Sequence, residues 1–220
     1  MSKARALFDR ELTDLRDNIL SLGGMVETAI ERAVQALKEQ DDDLARRVIA
    51  GDEEINTRRY DIEEQCVRLI ATQQPAAGDL RAIVAAIHIV TELERMGDYA
   101  SGIAELSTRL ADQPHLKPLI DVPRMAEIDQ EMIRASLDAY FRRDPDLALG
   151  TAKRDTEIDG LYDQVYRELL TYMLSDPRTI TRATYLLWVA HKLERIADRV
   201  TNICERVIYM CTGRMEELDF

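Results

Sequence analysis

The chain has 220 residues, of which 41 are acidic and 29 are basic, so its formal net charge is −12. A charge of this sign and size argues against a protein that binds nucleic acid by neutralising phosphates, because such a protein needs a basic face. No stretch approaches the roughly 20 consecutive apolar residues of a membrane-spanning helix, and the charged start of the chain is unlike a secretory signal. We therefore expect a helix-rich globular protein of the cytoplasm.

Proline positions and the spacing of apolar residues divide the chain into six helices. The six prolines separate long proline-free segments in which apolar residues recur every three or four positions. One further junction is predicted at Gln40–Asp43, where an aspartate can cap the next helix. The predicted helices are 4–39, 43–72, 78–111, 124–143, 146–174 and 179–211, with a linker at 112–123.

The two halves of the chain are copies of each other. Asp52-Glu-Glu-Ile-Asn56 matches Asp155-Thr-Glu-Ile-Asp159 at an offset of 103 residues, and Leu93–Asp98 matches Leu193–Asp198 at an offset of 100. An internal repeat of this length takes priority over any local pattern. The sequence therefore predicts an all-α fold of two tandem three-helix bundles, comparable to spectrin repeats. The first bundle is predicted at 1–111, the linker at 112–123 and the second bundle at 124–220.

Each repeat places acidic or amide side chains at positions i and i+4, on one face of a helix. The two pairs of each bundle lie on consecutive helices joined by a short turn, which predicts antiparallel helices with the pairs at the same height. Gathered carboxylates repel one another unless a cation compensates them, and oxygen donors suit hard cations better than structural zinc. The metal stays open among iron, manganese, magnesium and zinc. The candidate ligands are Asp52, Asn56, Glu94 and Asp98 in the first bundle and Asp155, Asp159, Glu194 and Asp198 in the second.

Two alternatives remain open beside metal binding. In a plain helical scaffold, Arg95 and Arg195 would pair with the acids as a salt-bridge lattice that serves only solubility. In a carboxylate-bridged dimetal enzyme, a Glu-x-x-His pair on a helix is usual. None of the histidines follows a glutamate by three residues, although His191 precedes Glu194 by three and could assist a metal. A histidine satisfied within the core is the plainer interpretation of His191, and we expect no enzyme.

At these residues the sequence resembles the PhoU family, whose members contain two repeated three-helix bundles. Glu94-Arg-Met-Gly-Asp98 and Glu194-Arg-Ile-Ala-Asp198 are similar to the Glu/Asp-x-x-x-Asp motif of each family bundle. The second copy continues as Arg-Val-Thr-Asn202-Ile, as family members commonly do. The resemblance covers essentially the whole chain.

The resemblance implies a cytoplasmic negative regulator of phosphate uptake and of the phosphate-starvation response. Such a protein links a phosphate ABC transporter, through its ATPase subunit, to a sensor histidine kinase, and it contacts the membrane only through these partners. The resemblance also implies a homodimer, metal ions or clusters bound on each bundle, and Asn202 as a further ligand. Gly102 stands at the repeat position of Asn202, and Asn56 stands at that of Asp159, so we expect weaker or different metal occupancy in the first bundle.

Overall fold

The computed structural model describes residues 3–215, 217–218 and 220, and within these residues every regular element is a helix. The first repeat contains α1 (Lys3–Glu39), α2 (Asp42–Gln73) and α3 (Ala77–Leu110). All three begin and end within one residue of the predicted bounds. Residues 1–2, 216 and 219, which the predicted bundles include, lie outside the described part. Within that part, no helix is both long and apolar enough to cross a membrane.

The second repeat contains one more break than the first. Its helices are α4 (Asp121–Arg142), α5 (Pro145–Ala152), α6 (Asp155–Ser175) and α7 (Ile180–Thr212), with a short 3₁₀ turn at Pro177–Thr179 before α7. The all-α class and the six helical segments are confirmed, but the prediction of one continuous helix over 146–174 is wrong. Arg154 holds the turn between α5 and α6, because its guanidinium donates to Glu131 of α4 at 2.8 Å and to Glu157 at 3.0 Å.

The segment between the repeats is packed against the second bundle. Residues 111–120 are not helical, and α4 begins three residues before its predicted start, with Pro123 in its first turn. Proline is tolerated there because the first N–H groups of a helix have no partner within the helix. Lys117 is buried, and its ammonium pairs with Asp121 at 3.2 Å and with Glu168 of α6.

The backbone repeats as faithfully as the sequence at the junction after the first helix of each bundle. Gln40 and Arg143, which are 103 residues apart, both take a left-handed conformation, with φ of 56° and 54°. The next residue caps the following helix in both repeats. Asp41 accepts a hydrogen bond from the Leu44 amide at 2.8 Å, and Asp144 accepts one from the Leu147 amide at 3.0 Å.

The two bundles join along α3 and α7, which run antiparallel. The beginning of α3 meets the end of α7, where the Arg81 guanidinium donates to the Met210 carbonyl at 3.3 Å. The end of α3 meets the beginning of α7, where the Arg109 guanidinium lies 5.8 Å from the centre of the Tyr185 ring. Buried apolar side chains of both repeats form one continuous cluster. The acidic pairs of the two repeats are therefore held on a single packed body.

Candidate functional site

The first repeat brings together all four of its predicted ligands. Asp52 of α2 and the pair Glu94 and Asp98 of α3 face one another across the α2–α3 hairpin, as the predicted register requires. Burial raises the pKa of the Asp52 carboxyl, and the charge of Asp98 raises it further. Burial and then Asp98 raise the pKa of Glu94 in the same way. The Asn56 amide donates to Asp52 at 3.2 Å, so it supports that carboxylate. We call these four residues the first cluster.

Two arginines stand against the first cluster. Arg59 of α2 lies 3.8 Å from a Glu94 oxygen, and Arg95 lies 3.7 Å from the other oxygen of Glu94. Arg95 also donates to Asp98 at 3.3 Å. The guanidinium charges lower the pKa of Glu94, against the effects of burial and of its acidic neighbours. The protein therefore compensates part of the negative charge of the first cluster, and Arg95 pairs with these acids as the salt-bridge alternative predicted.

The second repeat brings together all four of its predicted acids. Asp155 and Asp159 of α6 face Glu194 and Asp198 of α7, and we call these four residues the second cluster. Burial, followed by the charges of its three acidic neighbours, raises the pKa of Asp155 to about 6. Burial and Asp198 raise the pKa of both Asp159 and Glu194. Burial is the largest cause of these three rises, and the mutual repulsion of the carboxylates adds to it.

One arginine pairs with the second cluster. Arg195 donates to Asp198 at 2.5 Å, and it also bonds the Tyr99 hydroxyl of α3, so its charge is shared. His191 places Nδ1 at 3.1 Å from Glu194, and 53% of its side chain is exposed. The interpretation of His191 as a core residue is therefore wrong. It lies at the edge of the second cluster.

The Asn202 side chain contacts the other repeat. Its side-chain amide donates to Glu92 of α3 at 3.3 Å, and Arg199 pairs with the same carboxylate at 3.4 Å. Asn202 still lines a surface cavity of about 340 Å³ together with Asp155 and Asp198. As a ligand, Asn202 would use its carbonyl oxygen, because the amide nitrogen is a hydrogen-bond donor and here donates to Glu92.

Asp129 of α4 was not predicted, although it lies beside the second cluster. Its side chain is completely buried. Burial, followed by the charge of Asp155, raises the pKa of Asp129 well above its usual range. The sequence contains a signal that could have found it, because Asp129 is four residues after Met125 and three before Met132, in the apolar stripe of α4. A charged residue inside such a stripe needs a partner or a ligand.

The carboxylates suit a hard cation chemically, but they do not surround one as they stand. Among the described residues, no three aspartate, glutamate, histidine or cysteine side chains form a group that could hold a metal ion. The arginine pairs explain part of this, since Arg95 and Arg195 hold Asp98 and Asp198. A cation that binds here must compete with a guanidinium for the same carboxylate oxygens.

Comparison with known proteins gives one consistent family. The sequence model of the PhoU domain matches twice, at residues 19–107 and 122–207. A phosphate-specific transport system accessory protein PhoU homolog from Pseudomonas aeruginosa is 41% identical over 94% of this chain and 86% of its own length. The corresponding protein of Escherichia coli K12 is 38% identical over 94% of this chain and 86% of its own length.

Two crystal structures agree with the fold as well as with the sequence. PhoU from Pseudomonas aeruginosa superimposes with a TM-score of 0.88 at 41% identity, covering 94% of this chain and all of that one. The phosphate transport system regulatory protein PhoU from Streptococcus pneumoniae superimposes with a TM-score of 0.89 at 32% identity, covering 96% of this chain and all of that one. The likeness therefore spans both repeats and the junction between them.

Proposed function

Because this chain belongs to the PhoU family, we propose that it is a cytoplasmic negative regulator of phosphate uptake and of the phosphate-starvation response. It links the ATPase subunit of a phosphate ABC transporter to a sensor histidine kinase, and it catalyses no reaction itself. The observation that carries the proposal is similarity over 94% of the chain to relatives named as accessory proteins of the phosphate-specific transport system. The net charge of −12 supports protein partners over nucleic acid.

Deletion of the gene for this chain tests the regulatory role. At high phosphate, the deletion strain should express phosphate-starvation genes that the parent strain represses, and a plasmid copy of the wild-type chain should restore repression. A transcriptional reporter of the starvation response is the measurement. Unchanged reporter expression in the deletion strain at high phosphate would contradict the proposal.

We further propose that the second cluster binds a hard cation, which would supply positive charge between α6 and α7. Four carboxylates meet there with one shared guanidinium, and a buried oxygen of Asp155 has no hydrogen-bond partner among the described residues. Oxygen donors of this kind suit iron, manganese or magnesium, and zinc less well. Asp155, Asp159 and Glu194 would hold the cation, and Asp198 would join them by leaving Arg195. The first cluster, with one acid fewer and two arginines, would bind more weakly.

The proposed homodimer has a candidate surface on α6. Tyr166, Leu170 and Leu174 recur every four residues on one helix face, and they are 46%, 41% and 78% exposed. A stripe of this kind supports contact with a second copy of the chain, which is also what the family resemblance implies. Light scattering after gel filtration should give a dimer for the wild-type chain and a monomer for a Leu170→Asp/Leu174→Asp variant. A wild-type monomer, or a variant that still dimerises, would contradict this surface.

A further inference from the structure

A completely buried carboxylate lies behind the second cluster. Asp129 has no exposed surface, and neither of its carboxylate oxygens has a hydrogen-bond partner in the part of the chain that the structure describes. Buried polar atoms in folded proteins almost always have a partner, since burying one without compensation is costly. A carboxylate with two such oxygens therefore requires an explanation.

The charged group that acts on Asp129 is a second carboxylate. The carboxylate that acts on it is Asp155, at the start of α6, whose Oδ1 is also buried without a partner among the described residues. The Thr201 hydroxyl of α7 is buried and unpartnered in that part of the chain too, and it lines the same 340 Å³ cavity as Asp155 and Asp198. Buried oxygen atoms without a partner among the described residues therefore occur on three helices of the second bundle, α4, α6 and α7.

The arginines close to this region pair with groups other than Asp129 and Asp155. Arg154 donates to Glu131 and Glu157, although it directly precedes Asp155 in the chain. Arg195 is paired with Asp198 and the Tyr99 hydroxyl. Arg199 lines the same cavity and is paired with Glu92 and the same Tyr99 hydroxyl, and its buried Nε has no hydrogen-bond partner among the described residues. A water molecule could satisfy hydrogen bonds in this region, but it could not compensate two neighbouring carboxylates.

We propose that Asp129 is an interior ligand of the second cluster, so that a hard divalent or trivalent cation is held by α4 as well as by α6 and α7. Asp129 and Asp155 bind it from the core side, and Thr201 offers a neutral oxygen from α7. This inference rests on the proposed metal-binding function of the second cluster and extends it to a third helix. The unpartnered oxygens are then explained, because each acquires a cation as its partner.

The site is specific to the second repeat. The position of Asp129 in the first repeat, 103 residues earlier, is Val26, which is completely buried and apolar. The turn that divides α5 from α6 immediately precedes Asp155, whereas α2 runs without interruption past Asp52. The first repeat therefore lacks both the interior carboxylate and the helix break beside it.

Two variants of the full chain test the inference with Mn²⁺ as the probe. Asp129→Asn keeps the shape of the side chain and resembles a protonated acid, whereas Asp129→Val copies the first repeat. Titration calorimetry, together with the electron paramagnetic resonance signal of free Mn²⁺, gives affinity and stoichiometry. Both variants should lower the affinity of the second cluster by about tenfold or more, which is the loss typical of a metal site that loses a supporting group.

The controls separate this inference from the function on which it rests. Wild-type protein that binds no Mn²⁺ would overturn the proposed metal function and this inference with it. Binding that is lost in a Glu194→Ala/Asp198→Ala variant but unchanged in Asp129→Asn would overturn only the inference, since Asp129 would then be a protonated acid of the core. Circular dichroism of each variant checks that the helices are intact. If Asp129→Val fails to fold, the isosteric Asp129→Asn variant decides the question.

Discussion

The two repeats share one backbone plan and differ in the charge that surrounds their acids. The first cluster sets three carboxylates against Arg59 and Arg95, so its charge is partly balanced within the protein. The second sets four carboxylates against Arg195, with Asp129 buried behind them. Tyr162 stands at the repeat position of Arg59. Duplication of a bundle therefore kept the geometry of the acids while it changed what compensates them.

The largest expected effect on stability comes from substitutions at the buried position that is Val26 in the first repeat and Asp129 in the second. Val26→Asp should place an uncompensated carboxylate in the core of the first repeat, where no helix break accompanies it and Asp52 stands at the repeat position of Asp155. It should lower the free energy of unfolding by about 3–5 kcal/mol. Asp129→Val should do the opposite in metal-free protein and raise it by about 1–3 kcal/mol, because an apolar side chain replaces a buried acid. Urea denaturation with chelator present measures both. A destabilised Asp129→Val would show that the metal-free core needs the carboxylate.

Double alanine substitutions compare metal binding by the first cluster and by the second cluster directly. Glu194→Ala/Asp198→Ala should remove the metal that copurifies with the chain, a loss of more than about 100-fold in affinity, or about 2.7 kcal/mol. Glu94→Ala/Asp98→Ala is the matched control in the first repeat, and it should leave most of the metal in place. Elemental analysis by mass spectrometry, on protein purified without chelator or metal resin, measures both. Equal losses in the two variants would remove the distinction between the clusters.

The raised pKa of Asp155 predicts a pH dependence of stability that is larger in the second repeat than in the first, where the pKa values of Asp52 and Glu94 are raised less. With a folded-state pKa of about 6, against about 3.8 for the ordinary carboxyl, Asp155 holds its proton in the folded state between these values. Its contribution to stability is therefore complete below pH 4 and is lost as the pH rises through 6. In the presence of chelator, the free energy of unfolding of Asp155→Asn should rise by about 1 kcal/mol relative to that of the wild type between pH 4 and 7, after allowance for solvent screening. Urea denaturation at each pH measures this, and a difference in stability between variant and wild type that does not change with pH would contradict the raised pKa.

Periodicity and the repeat predicted most of the fold and most of each cluster. The acids at i and i+4 on consecutive helices came together because hairpin register is a property of neighbouring helices, which spacing can reveal. The contact of Asn202 could not be predicted in this way, because its side chain donates to Glu92 of the other repeat. The packing of α3 against α7 follows from how the two bundles join, and no spacing within one repeat reports it.

Two features of the second bundle were not predicted from the sequence, the break between α5 and α6 and the buried carboxylate of Asp129. The turn at Lys153–Arg154 leaves the spacing of apolar residues nearly unchanged, so periodicity predicts a continuous helix across it. Asp129 belongs to no paired acidic motif, because it is a single acid on an otherwise apolar stripe of α4. A search for charged residues at core positions, instead of repeated motifs, would have found it.

The smallest expected effect comes from exchanging Arg59 of the first repeat with Tyr162, which stands at the same position in the second. Arg59→Tyr removes a guanidinium that lowers the pKa of Glu94, so the first cluster should bind Mn²⁺ about two- to fivefold more tightly, as expected for a partly exposed ion pair. The reciprocal Tyr162→Arg variant should weaken binding at the second cluster by a similar factor. Titration with Mn²⁺ measures both, and helical circular dichroism controls for folding. If neither exchange changes the affinity, the number of acids and the interior carboxylate, rather than the arginines, distinguish the two repeats.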